Sequence, residues 1–256
     1  MFTSAQPTPW DSIPASSRLH PPFPVRNPIT RSCDNFRAKT RCPRSGEEIR
    51  CESLLERSCV NLLMFAQGAG RITHQPGTFT INIGDRKRQY TPDFAIVTPR
   101  GTTSYFEVKP FAIAHTRKKR RFHNEVFKHL RSRGSNFYVL TERHLERKGV
   151  ADIQRLLQFR HNWFVERLGG PPIDESIDAV GLSIWHEFPS LRSAVAGGQS
   201  ICIKEALDLL GGGSDASQCL LVLLATRHLA WPIRQALCLT TRLHQYTEAD
   251  DEQLFV

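Results

Sequence analysis

Tyr90-Thr91-Pro92-Asp93-Phe94, thirteen intervening residues, then Glu107-Val108-Lys109: the chain is best read outward from this stretch. Side chains on a strand alternate faces. A strand over Ser104–Lys109 therefore sends Phe106 and Val108 to the core and Glu107 and Lys109 to the opposite side. Pro92 has no amide hydrogen and interrupts the apolar strand expected over Tyr90–Val97, leaving Asp93 at its mouth. Pairing of the two strands brings Asp93 beside Glu107. Two carboxylates placed so closely repel each other, and a hard dication relieves the repulsion. Mg²⁺ takes one or two carboxylates, keeps several waters and completes its shell with phosphate oxygens; Mn²⁺ suits the same oxygen ligands. A water held by such an ion becomes a usable nucleophile. Lys109 is placed to hold that water or to neutralise charge building on a phosphate. Asp93, Glu107 and Lys109 are thus the candidate catalytic residues, with Asp93 and Glu107 as candidate metal ligands, for hydrolysis of a phosphodiester. The competing reading is an exposed Glu-Lys pair on an edge strand, nearly neutral in energy, with Asp93 capping a turn. The setting between apolar strands and ahead of a strongly basic segment favours the first.

On the N-terminal side, Ser45-Gly-Glu-Glu48 and Ser53-Leu-Leu-Glu56 both fit a capping box, so two starts stand open for a helix. Leu55, Cys59, Leu62, Leu63 and Ala66 recur at helical spacing, and Gly68 and Gly70 end it. Phe79, Ile81 and Ile83 alternate with Thr80 and Asn82, a half-buried strand, and Gly84–Arg88 reads as a polar turn. On the C-terminal side, a basic helix over His115–Arg133 has Phe122, Val126, Phe127 and Leu130 as its apolar stripe. It carries Arg117, Lys118, Lys119, Arg120, Arg121 and Lys128, and Gly134 closes it. These cations are candidate DNA-phosphate contacts, with a solvated face as the alternative. No set of side chains stands out as reading base edges. Asn136–Thr141 is a fourth strand. Helix, strands, helix and strand describe an α/β core.

The charge is unevenly placed. Residues 1–45 carry seven Lys/Arg and two Asp/Glu, residues 46–150 nineteen and ten, and residues 151–256 eight and thirteen, within a net charge of +9. The basic front suits a phosphate backbone; the acidic back half does not. Residues 1–45 also hold eight of the sixteen prolines and keep no helical or strand period, which reads as a loose arm. The seven cysteines form no CxxC pair, which removes a zinc ribbon or thioredoxin-like site and leaves reduced thiols packed as small apolar groups. No apolar run reaches membrane-spanning length and no secretory signal is evident, so a cytoplasmic protein is expected.

A boundary is expected near Gly149, with 150–256 as a second domain. Ile153, Leu156, Leu157 and Phe164 suggest a helix that Gly169-Gly-Pro-Pro172 breaks. Ile203–Leu210 and Asp215–Arg227 read as helices separated by Gly211-Gly-Gly213, followed by a β-rich stretch over Leu237–Tyr246. Helix, tight turn, helix and strands resemble a winged helix. Trp185, Phe188 and Trp231 are core residues first, and interface anchors only second.

Glu52-Ser-Leu-Leu-Glu56-Arg, His74-Gln-Pro76, Tyr90-Thr-Pro-Asp93-Phe and Tyr105-Phe-Glu107-Val-Lys109-Pro, taken in this order, resemble the TnsA endonuclease subunits of heteromeric transposases. The likeness covers nearly all of the chain after residue 45. It implies a restriction-endonuclease-like PD-(D/E)xK core, a mixed sheet flanked by helices over 46–149, followed by a mainly helical winged-helix-like domain. It implies a fourth catalytic residue, a glutamate on the first helix. Glu56 matches best, and Glu52, one turn earlier on the same face, stays as the alternative. Gln75 is expected to shape the site rather than touch it. The resemblance further implies nicking on the 5′ side at transposon ends, a TnsB-like DDE transposase that processes the 3′ ends, and a TnsC-like AAA+ ATPase regulator. The acidic domain would dock these partners. A free-standing restriction or repair nuclease and a non-catalytic DNA-binding adaptor are the alternatives.

Overall fold

The computed structural model describes residues 38–41, 48–66, 71–84, 86–97, 101–168 and 174–256. They divide into two compact units. One runs to Glu146 and also holds Asp251–Val256; the other is Arg147–Asp250. The expected boundary lay near Gly149, and the expectation assigned the last six residues to the second domain.

The first unit is built from β1 (Ala38–Arg41), β2 (Glu48–Cys51), α1 (Leu54–Phe65), β3 (Arg71–His74), β4 (Phe79–Ile83), β5 (Arg86–Tyr90), β6 (Phe94–Val97), β7 (Thr103–Val108), α2 (Phe111–Ala114), α3 (Arg117–Arg131), β8 (Asn136–Leu140) and α4 (Glu142–Leu145). It is α/β, with a mixed four-stranded sheet in the order β3-β6-β7-β8. β6 pairs antiparallel with β3 and β7, and β7 pairs parallel with β8. A parallel step needs a crossover, which α2 and α3 supply.

Local chemistry decides the element ends. Ser53 starts α1: its hydroxyl accepts from the Glu56 N–H at 3.1 Å, and the Glu56 carboxylate returns to the Glu52 N–H at 2.7 Å. The rival start at Ser45 is overturned, because Glu48–Cys51 is a strand paired with Ala38–Arg41. That pairing also gives Ala38–Arg41 a regular structure inside the segment read as a loose arm; residues 1–37 and 42–47 lie outside the described residues, as do Gly68 and Gly70. The turn expected over Gly84–Arg88 is shorter. Gly84 takes φ +58°, as tight hairpin turns require, and Arg86–Arg88 already pair with β4. Polar composition hid this strand.

α3 begins at Arg117, where Thr116 caps the Lys119 N–H, and Gly134 lies beyond its end at φ +73°. Its inward stripe is Phe122, His123, Val126 and Leu130. Phe127, expected inside, is 46% exposed, because position 127 lies beside the stripe rather than on it. Val126 and Leu130 join Ile81, Tyr90 and Phe137 in one buried cluster that fastens the β4–β5 hairpin to the helix. On the opposite face of the sheet Phe94 pairs across from Phe106. Phe106 in turn stacks on Tyr138 at 5.4 Å and meets Phe255 edge-on at 4.8 Å between ring centres. Burying each such side chain contributes about 1.5–3 kcal/mol. The short α2, absent from the sequence reading, is held by α4: Glu142 accepts from the Phe111 N–H at 2.8 Å, and the Arg143 guanidinium lies 3.2 Å over the Phe111 ring.

The second unit contains α5 (Val150–Leu168), α6 (Asp174–Glu187), α7 (Pro189–Val195), β9 (Ser200–Cys202), α8 (Ile203–Leu209), α9 (Gly213–Ala225), β10 (Leu229–Ala230) and β11 (Arg242–Gln245); α10 (Glu248–Phe255) closes the chain. The three strands form an antiparallel sheet ordered β10-β11-β9. α8 and α9 meet at 116° through Gly211, Gly212 and Gly213, all at positive φ. Leu220–Ala225 of α9 are buried. Gly181 lets α6 approach this core, since a Cβ there would sit 2.5 Å from the Thr226 hydroxyl oxygen. Of the β-rich stretch expected over Leu237–Tyr246, only Arg242–Gln245 is a strand. Thr241 donates to the Ala236 carbonyl at 2.7 Å and accepts from the Cys238 N–H at 3.0 Å, folding the preceding residues into a turn. Trp231 is buried and donates to the Gln235 carbonyl; Trp185 lies against the His228 ring. Cys51, Cys59, Cys202, Cys219 and Cys238 are free thiols, with Cys51 and Cys59 buried, and burial pushes the Cys51 thiol up to about 11. Among the described residues no single helix is long and apolar enough to cross a membrane.

Candidate active site

Pro92 separates β5 from β6, and Asp93 occupies the gap. Its N–H donates to the Phe106 carbonyl at 3.0 Å, and its carbonyl accepts from the Gln75 N–H at 2.9 Å. These bonds tie Asp93 to β7 on one side and to the end of β3 on the other. The Asp93 carboxylate then accepts from the Val108 N–H at 2.7 Å. Asp93 is thereby fixed beside Glu107, as the strand pairing anticipated.

Glu107 is 5% exposed. Tyr90 donates its hydroxyl to Glu107 Oε2 at 3.0 Å. The Lys109 ammonium bridges the two acids, 3.3 Å from Asp93 Oδ2 and 3.3 Å from Glu107 Oε1. Lys109 is held in turn by its N–H, which donates to the Leu140 carbonyl of β8 at 3.0 Å. Burial, and then the charge of Asp93, push the Glu107 carboxyl above its ordinary range, with Lys109 and Tyr90 pulling it back. Burial alone would lower Lys109, but Glu107 and Asp93 more than offset it and hold the ammonium above its ordinary value. Burial beside Glu107 raises Tyr90 as well, so its hydroxyl stays a donor.

Glu56 is also buried, and it is committed to the start of α1, accepting from the Glu52 N–H and from the Ser53 hydroxyl at 3.2 Å. Burial raises its carboxyl, the Glu52 N–H opposes this, and the charge of Asp93 adds to the rise. Glu56 is therefore within electrostatic reach of Asp93. Glu52 is exposed and accepts from the Gln75 side chain at 3.1 Å. Gln75 has φ +43°, a left-handed conformation unfavourable for a side chain of its size. It links Glu52 to the Asp93 backbone, through its side chain and its N–H respectively.

Among the described residues no three His, Cys, Asp or Glu side chains converge into a metal-holding group. Asp93 and Glu107 nevertheless form a carboxylate pair of the kind Mg²⁺ uses when waters and phosphate oxygens complete its shell.

The six cations expected to contact DNA phosphates are all on α3. Arg117, Lys118, Arg120, Arg121 and Lys128 are exposed, and Lys128 pairs with Glu125 at 3.0 Å. Lys119 turns inward, its ammonium 5.7 Å from the centre of the Phe122 ring. Beside it His123 is buried, its Nε2 without a hydrogen-bond partner. Burial, Lys119 and Lys109 hold that imidazole down at about 4, so it is neutral. Sequence reasoning missed Tyr90 as a contact of Glu107. Its signal was present in the stretch Tyr90-Thr-Pro-Asp93, but the tyrosine reaches Glu107 only through the hairpin that precedes it. No family model and no curated protein matches the chain.

Proposed function

We propose that this chain is a metal-dependent DNA endonuclease of the PD-(D/E)xK type, acting as the TnsA-like subunit of a heteromeric transposase. The observation that carries the nuclease reading is the Lys109 ammonium set between Asp93, just ahead of β6, and Glu107 on β7. Asp93 and Glu107 would hold Mg²⁺ or Mn²⁺. The bound ion supplies Lewis acidity to a phosphoryl oxygen and makes a water acidic enough to attack. The protein's own groups do the rest. The Val108 N–H and Tyr90 hydroxyl fix the orientation of the two acids, so their oxygens need no rearrangement when the ion arrives. Lys109, whose ammonium lies between the two acids, would offset the charge that builds on a phosphate held there as the ester bond breaks. Glu56, near Asp93, adds negative charge that favours the dication. The exposed cations of α3 bind flanking phosphates and position the duplex.

For the second unit, we read the order α7-β9-α8-α9-β10-β11 as a winged-helix arrangement. The helix that would lie in a DNA groove, α9, contains one Asp and no Lys or Arg, and its second half is buried. This composition favours protein docking, to a DDE transposase and an AAA+ ATPase, over base reading.

The test is strand-specific mapping of cuts on DNA carrying candidate transposon ends, with Mg²⁺, in the presence and absence of any transposase and ATPase found to be encoded beside this chain. Cuts on the 5′ strands that need both partners and vanish in Asp93→Ala are the expected result. Partner-independent cutting that vanishes in the same variant would make the chain a free-standing nuclease. Unimpaired transposition by an Asp93→Ala, Glu107→Ala variant would make it an adaptor.

A further inference from the structure

The β4–β5 hairpin carries a feature that the site does not use. β5 begins Arg86-Lys87-Arg88, and all three side chains are exposed and make no ion pair among the described residues. The hairpin is rigid. Ile81 and Tyr90 are buried in the cluster formed with Val126, Leu130 and Phe137. At its open end the Thr78 and Thr91 hydroxyls bond at 2.8 Å, and Gln89 donates to the Thr80 hydroxyl at 3.2 Å. One cation is enough to deter an edge strand from pairing with another chain. Three successive ones exceed that need: with Asp85 just ahead of them in the sequence the stretch keeps an excess of positive charge, Arg86 and Arg88 on one face of the ribbon and Lys87 on the other.

The position of the strip is as telling as its charge. Tyr90, the last residue of β5, donates to Glu107. At about 3.3 Å per strand residue, Arg88 and Arg86 lie about 7 and 13 Å along the ribbon from that tyrosine. Successive base pairs of a duplex rise by about 3.4 Å, so these distances correspond to about two and four base pairs. We propose that the β4–β5 hairpin is a second DNA-holding element, whose Arg86, Lys87 and Arg88 grip phosphates a few nucleotides from the one being cut. The proposal rests on the nuclease reading above. The hairpin and α3 share one apolar cluster, so their two sets of cations are held in a fixed relation to each other. Because Tyr90 belongs to the same strand and donates to Glu107, the grip also registers the duplex against the acids.

The experiment measures binding of the full chain to a fluorescent duplex of arbitrary sequence across a salt series, in chelator so that nothing is cut. Three proteins are compared: wild type, the hairpin variant R86Q/K87Q/R88Q, and a control variant K148Q/K204Q/R234Q that removes exposed cations of the second unit. The hairpin variant is expected to bind about tenfold or more weakly and to lower the slope of log affinity against log salt by about 2 to 3, since each phosphate contact contributes about 0.9. The control should keep the wild-type slope. A charge-preserving variant, R86K/K87R/R88K, should restore binding, and equal melting temperatures exclude misfolding as the cause. Wild-type affinity in the hairpin variant, or an equal loss in the control, overturns the proposal. The nuclease reading is scored separately, by metal-dependent cutting of plasmid with the wild-type protein. If cutting is present and the hairpin variant binds normally, only the present proposal falls.

Discussion

Two donors face the buried Glu107 carboxylate, and each comes from a different part of the chain. Lys109 shares its strand, while Tyr90 arrives from the hairpin. Removing the Tyr90 hydroxyl leaves one oxygen of a buried carboxylate without its donor. Tyr90→Phe is expected to weaken Mn²⁺ binding and DNA cutting by about 10- to 100-fold, the usual cost of losing a group that orients a metal ligand. A metal titration followed by calorimetry separates this from a packing effect, because phenylalanine fills the same space. Unchanged Mn²⁺ affinity would remove Tyr90 from the site. At this scale Asp93, Glu107 and Lys109 were legible in the sequence, since strand alternation and a proline are local facts. Tyr90 was not, because its contact depends on a register, Phe79 opposite Tyr90, that no local pattern encodes. Gln75 was read as shaping the site, but its left-handed backbone had no signal, since glutamine is a poor candidate for positive φ.

Elements were legible where their ends carry chemistry. The Ser53–Glu56 box marks the start of α1, and the three glycines at 211–213 mark the bend between α8 and α9. They were hidden where tertiary pairing outweighs composition. Arg86–Arg88 look like a turn and form a strand because Ile81, opposite Arg88, is buried against α3. The start of α10 offers a test of such local chemistry. The buried Asp250 accepts from the Thr247 N–H at 2.8 Å and the Thr247 hydroxyl at 3.1 Å, and meets His244 Nε2 at 2.8 Å. Burial opposes its ionisation, but the His244 and Thr247 hydrogen bonds prevail and hold the carboxyl below its ordinary value. A depressed carboxyl stabilises the fold above its unfolded value, near 3.9, and the contribution is lost as pH falls through the folded value. Asp250→Asn is therefore expected to be less stable than wild type at neutral pH, by about 1–3 kcal/mol. The gap should close as pH falls below about 4. Denaturant unfolding of both proteins at neutral and acid pH measures it, and a gap that widened in acid would contradict the assignment.

At the scale of the whole molecule, charge follows chemistry. The span 46–150 carries nineteen Lys/Arg against ten Asp/Glu, and 151–256 carries eight against thirteen. The first span holds the Asp93–Glu107–Lys109 constellation and α3. The second holds a buried α9 without a cation. This division was legible from composition. The membership of Asp251–Val256 in the first unit was not, because it rests on Phe255 meeting Phe106, a contact between residues far apart in sequence. The central claim is that Asp93, Glu107 and Lys109 cut DNA with a divalent metal. The most direct measurement is the rate at which the purified chain nicks a supercoiled plasmid carrying candidate transposon ends, with and without the proposed TnsB-like transposase and TnsC-like ATPase. It is taken in Mg²⁺, in Mn²⁺ and in chelator, for wild type and Asp93→Ala. The account predicts nicking by wild type with either metal, none in chelator, and a loss of about 100-fold or more in Asp93→Ala. Nicking that persists in chelator, or that Asp93→Ala performs at the wild-type rate, would contradict it.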